Sequence, residues 1–122
     1  MDDQLTRLEE AFCEEYSSAL ILLKHEKLTS VTILLSKALF ALADYIIYNE
    51  FNVLPKNHAE RFRILLKKKP VLYTLLDEIW NTYTDAYSKP AVKESISLLQ
   101  AAIQKIIKEN ETISEKIKES IG

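Results

Sequence analysis

The chain has 122 residues, of which 48% are hydrophobic and 28% are charged, and its formal net charge at pH 7 is -2. This length and apolar content predict a single domain, residues 1–122, that buries a core without disulfide bonds or metal ions. One glycine and three prolines are too few for the tight hairpins of an all-β or α/β protein, so the composition favours an all-α fold.

Cysteine usage and the first residues predict the cellular setting. Cys13 is the one cysteine in the chain and has no second thiol with which to form a disulfide bond. The chain begins Met-Asp-Asp-Gln, which is acidic, whereas a secretion signal begins with basic residues. We therefore expect a reducing, cytoplasmic setting. No membrane segment is expected, because Ser36, Lys37 and Asp44 interrupt the longest apolar run.

The first two helices follow from apolar spacing. Helix 1 is expected from Asp3 to Lys27, since its apolar residues recur three or four apart along one stripe. Helix 2 is expected to be capped by Thr29 or Ser30 and to run to Asn49. It is apolar on most of its faces, which predicts that it is the buried centre of the fold.

A line of polar residues interrupts helix 2. Lys37, Asp44 and Tyr48 are seven and four residues apart, which brings them onto one face of the helix. Buried lysine and aspartate are costly unless they are paired, so this line predicts a groove, an interface or a satisfied polar ladder between packed helices.

A short, basic helix 3 is expected before helix 4. Asn57 and Glu60 have the spacing of a capping box, which predicts a short helix 3 that ends near Lys68 before Pro70. Helix 4 is expected from Val71 to Tyr87. A basic cluster around helix 3 is a candidate anion-binding surface, although a solvated helix face explains it as well. Its residues are His58, Arg61, Arg63, Lys67, Lys68 and Lys69.

The last helix is expected to be long. After Pro90 the apolar positions recur in alternating steps of four and three, as in a coiled coil. An unbroken helix would span about 32 residues, or roughly 48 Å. Its end would expose an apolar seam unless helix 1 or a second chain covers it. The candidate dimer interface on this seam comprises Ile106, Asn110, Ile113 and Ile117.

Metal and cofactor sites are not expected. The two histidines lie neither in a Glu-x-x-His pair nor near Cys13, and the single glycine cannot form a loop that cradles phosphate.

Three segments between about residues 30 and 105 together resemble the HEPN superfamily of small helical bundles. They are Ser36-Lys-Ala-Leu-Phe-Ala-Leu-Ala-Asp-Tyr-Ile-Ile, Pro55-Lys-Asn-His-Ala-Glu-Arg-Phe62 and Tyr83-Thr-Asp-Ala-Tyr-Ser88. The resemblance implies an up-and-down bundle of four main helices plus a short helix. It also implies that Lys37, Asp44 and Tyr48 share a cleft with Asp85 or Tyr87.

Many HEPN proteins are ribonucleases that use an arginine followed, after four to six residues, by a histidine. No arginine of this chain has a histidine at that spacing, and the corresponding region, from Asn81 to Lys89, contains neither residue. The resemblance therefore favours a noncatalytic interaction module that acts as a homodimer or with a small nucleotidyltransferase, as in toxin and antitoxin systems. An atypical ribonuclease and a structural coiled-coil adaptor are the alternatives. Nucleic-acid binding is expected to be weak or absent.

Overall fold

The computed structural model describes residues 2–122, and all of the regular secondary structure in that range is helical. The elements are α1 (Asp3–Lys24), α2 (Leu28–Phe51), α3 (His58–Lys68), α4 (Pro70–Asp85), α5 (Lys93–Glu109) and α6 (Glu115–Ser120). The predicted all-α bundle is confirmed.

Helix α2 is the centre of the bundle, as predicted. It packs along α1 and also contacts α3, α4 and α5. Leu35, Leu39, Leu42, Ile46 and Ile47 on this helix are fully buried. It has 24 residues, and an 18-residue window within it has a mean hydropathy of 1.7, so by length and composition alone it could span a membrane. Burial explains that composition, because 72% of the apolar window lies inside the bundle.

The turn between α1 and α2 lies earlier than expected. Helix α1 ends at Lys24, and the amides of His25, Glu26 and Lys27 donate to the carbonyls of its last turn. Glu26 adopts a left-handed conformation with φ of 55°, which closes the turn within three residues. Helix α2 therefore starts at Leu28 without a side-chain cap. The prediction that Thr29 or Ser30 caps it is wrong.

The prediction of one continuous helix at the C-terminal end is also wrong. Helix α5 ends at Glu109, and Asn110 leaves the helical conformation with φ of -122° and ψ of 102°. The Asn110 side chain donates to the Ile106 carbonyl at 2.7 Å, which satisfies an acceptor at the helix end. The chain then turns, and Ser114 caps α6 by accepting from the Ile117 amide.

The break folds α6 back onto α1, and this covers the apolar seam within the chain. Ile106, Ile113 and Ile117 are buried there, and Asn110 is partly buried. Of the two coverings considered from the sequence, the structure has the intramolecular one. These isoleucines do not form an exposed surface in this chain.

Candidate functional site

A buried ion pair joins α2 to α3. Arg61 Nε donates to Asp44 Oδ1 at 2.7 Å, and Arg61 Nη2 donates to Asp44 Oδ2 at 2.9 Å. Each residue is only 8% exposed. Such a two-pronged contact is the strong geometry for an arginine and a carboxylate, and it satisfies both charges where water is scarce. Asp44 therefore has the partner that its place in an apolar helix requires.

His58 extends this pair by one residue. It lies one helical turn before Arg61 on α3, and its Nδ1 contacts Arg61 Nη1. The start of α3 is fixed by Asn57, whose side chain accepts from the Glu60 amide at 2.9 Å. Since a guanidinium can only donate, His58 Nδ1 must be the acceptor, and the imidazole proton must be on Nε2.

Aromatic rings surround the histidine. Its ring centroid lies 5.0 Å from that of Phe40, 4.7 Å from that of Trp80 and 6.1 Å from that of Tyr83. The Arg61 guanidinium also lies 5.1 Å from the Phe40 ring centroid, within the range of a cation–π contact. Helices α2, α3 and α4 therefore meet in one packed cluster, which we call the arginine cluster: Phe40, Asp44, His58, Arg61, Trp80 and Tyr83.

Burial lowers the pKa of His58 below its ordinary value of 6.5, and the nearby Arg61 charge lowers it further, while Asp44 opposes the change. A protonated His58 would also lose the acceptor that faces Arg61. The folded protein therefore favours the neutral imidazole.

This direction predicts a pH effect. Between pH 6.5 and the lower folded pKa, the unfolded chain binds more protons, so the stability due to His58 is complete above pH 6.5 and falls as the pH falls. An NMR titration of His58 should show a midpoint below 6.5. A midpoint at or above 6.5 would contradict a neutral histidine in this cluster.

Glu15 must be controlled in the corresponding stability measurement. Burial raises its pKa to about 6, an effect that the positive charge of Lys37 opposes. Its contribution is complete below pH 4.5 and is lost as the pH rises through 6, which is the opposite sign to His58. Urea unfolding as a function of pH is therefore best compared between Glu15→Gln and the double variant Glu15→Gln with His58→Gln. The double variant should show the weaker rise in stability with pH.

The polar line on α2 does not form one cleft. Lys37 is exposed, and Asp44 forms an ion pair with Arg61. The Tyr48 hydroxyl donates to Asp2 Oδ2 at 2.9 Å. The bond to Asp2 raises the pKa of Tyr48. The three side chains therefore lie in three separate environments. Asp44 and Tyr48 each form a hydrogen bond to another part of the chain, as in a satisfied polar ladder, and do not line a common groove.

Asp85, the last residue of α4, and Tyr87, two residues beyond it, have other partners than the polar line. Asp85 lies 3.6 Å from Lys89, and the Tyr87 hydroxyl lies 3.3 Å from the Tyr83 hydroxyl. Within residues 2–122, neither makes a hydrogen bond or ion pair with a member of the α2 line. Tyr87 reaches the arginine cluster only through Tyr83.

The six candidate anion-binding residues are similarly divided. Arg61 is buried on Asp44, whereas Arg63 lies 3.8 Å from Glu60 and Lys69 lies 2.9 Å from Glu50. Lys68 Nζ is 5.8 Å from the Phe51 ring centroid, and Lys67 is exposed. Most of this positive charge is therefore engaged within the chain.

A second candidate surface lies between α4 and α5. We call it the α4–α5 groove, a depression of about 180 Å³ lined by Lys69, Val71, Leu72, Leu75, Lys105, Ile106, Glu109 and Asn110. Val71, which lies at its edge, is 74% exposed. Sequence reasoning missed this groove, since it depends on where α5 ends.

Comparisons with models of known protein families, with curated proteins and with solved structures find no match for this chain.

Proposed function

We propose that this chain is a noncatalytic interaction module of the HEPN type, acting as a dimer or with a partner protein such as a small nucleotidyltransferase. The observation that carries the proposal is the internal use of Arg61. Its Nε and Nη2 are bonded to Asp44 and its Nη1 contacts His58, so the guanidinium has little left to offer a phosphate.

The histidine supports the same conclusion. A base that removes a proton from a ribose hydroxyl needs a free nitrogen lone pair, but the lone pair of neutral His58 faces Arg61. The order of the two residues also differs from the ribonuclease motif, since His58 precedes Arg61 by three residues.

One observation favours the runner-up, an atypical ribonuclease. An imidazole, a guanidinium and the Tyr83 hydroxyl occur in one cluster, and His58 is only partly buried. We expect no turnover of labelled single-stranded RNA by the purified protein. Turnover that disappears in His58→Gln or Asp85→Ala would overturn the noncatalytic proposal.

The α4–α5 groove supports binding of a protein partner. It combines an apolar floor with Lys105, which makes no ion pair within residues 2–122. An apolar centre with a charged rim is typical of a protein–protein interface. A partner that presents an apolar side chain next to a carboxylate would complement this surface.

The partner test is titration calorimetry against a purified small nucleotidyltransferase. Val71→Asp should weaken the complex at least tenfold, or about 1.4 kcal/mol, because a charge would enter the apolar contact. Ile21→Asp on α1 is the matched control, since Ile21 is also exposed and apolar but lies outside the groove. Equal affinities of the two variants would exclude the groove as the interface, and the lack of any complex would contradict this partner.

A further inference from the structure

The residues between α5 and α6 do not by themselves prevent a continuous helix. The seam spacing of four and three residues continues through it, from Ile106 to Asn110, Ile113 and Ile117. Residues 110–114 contain neither glycine nor proline. This stretch is therefore compatible with an uninterrupted helix, in which the same isoleucines would still lie on one face.

Contacts with α1 hold α6 in its folded-back position. The Ser114 hydroxyl donates to Glu9 Oε2 at 2.5 Å, and Lys116 Nζ lies 4.0 Å from Glu9 Oε1. Glu9 is 5% exposed and Ile117 is fully buried. These contacts join residues far apart in the sequence, so α1 of a second copy could make the same contacts with α6.

We propose that two copies of this chain exchange α6. In the exchanged form, residues 110–114 become helical, α5 and α6 form one helix, and α6 of each copy docks on α1 of the other. The contacts of Lys116 and Ile117 with α1 are kept, and the changes are confined to the hinge, which includes Ser114, so exchange is a low-cost route to a symmetric dimer. This inference rests on the dimer half of the proposed function and specifies its interface.

The hinge determines which form is populated. The folded-back form has the Asn110 bond to Ile106 and the Ser114 cap, whereas the exchanged form gains a continuous helix. Folding back also has the advantage of an intramolecular contact, because a tethered segment has an effective concentration of about the millimolar order. The exchanged dimer should therefore increase with protein concentration.

Two hinge variants separate the forms. Residues 110–113 form a turn in which the Ile113 amide donates to the Asn110 carbonyl at 3.3 Å. Position 111 is the second residue of that turn, where proline is favoured, but proline inside a long helix breaks it. Glu111→Pro should lower the dimer fraction more than tenfold at equal concentration. Asn110→Ala removes the bond to Ile106 and should raise that fraction severalfold.

Cross-linking identifies the exchanged segment. A mixture of ¹⁵N-labelled and unlabelled chains is incubated at high concentration, its mass is measured by light scattering, and a zero-length carbodiimide joins Lys116 to Glu9. The dimer should yield cross-linked peptides with one labelled and one unlabelled half. A sample of unlabelled chains alone is the control, which shows that the cross-link between Lys116 and Glu9 forms.

The outcomes are distinguishable. A dimer without mixed cross-links, or one that Glu111→Pro does not reduce, overturns the exchange while a dimer through another surface still stands. A monomer at all concentrations up to about one millimolar overturns both the exchange and the proposed dimer.

Discussion

Replacement of Asp44 by alanine should destabilise the protein by about 3 to 5 kcal/mol, because it leaves the Arg61 charge buried without its partner. Domains of this size have a total stability of about 5 to 15 kcal/mol, so a large part of the fold's stability depends on this carboxylate. Urea unfolding followed by circular dichroism measures the loss. The control is Asp85→Ala, which removes a half-exposed partner of Lys89 and should cost less than about 0.5 kcal/mol.

A double variant separates the loss of the pair from the isolation of a charge. Asp44→Leu with Arg61→Met replaces both partners by apolar side chains and should recover most of the stability lost in Asp44→Ala. If Asp44→Ala and Asp85→Ala have equally small effects, the buried pair does not have the energetic role assigned here.

Ile117→Ala should lower the free energy of unfolding by about 2 to 5 kcal/mol, because it opens a cavity where α6 packs on α1. The matched control is Ile21→Ala, which removes the same atoms from a side chain that is 59% exposed. We expect the control to remain within about 0.5 kcal/mol of the parent protein. Urea unfolding measures both variants, and a similar result for the two would contradict the burial of the C-terminal seam.

The sequence predicted those elements that short-range chemistry determines. Asn57 and Glu60 predicted the start of α3, because the cap and the amide that it accepts from are three residues apart. The apolar faces of α2 predicted a central helix. Asp44 was predicted to need a partner, but Arg61 could not be identified, since the pair depends on how the loop before α3 folds back.

The break at Asn110 depends on distant residues and could not be predicted. An asparagine in an apolar seam is typical of a buried register-setting residue and equally of a helix end. In this chain Asn110 marks a helix end, and the segment after it is held by the bond between Ser114 and Glu9, which are 105 residues apart. The aromatic surround of His58 was missed for a similar reason, because Phe40 and Trp80 come from different helices.

The central position of α2 has a consequence for synthesis of the chain on the ribosome. Residues of α5 that cover α2 are made only after roughly forty further residues have followed Phe51. At 5 to 20 residues per second, this takes about 2 to 8 s. During that interval α1 can pair with α2, but the side of α2 that α5 later covers has no partner. The nascent chain therefore passes through a stage in which one side of a helix with the length and hydropathy of a membrane span is still uncovered.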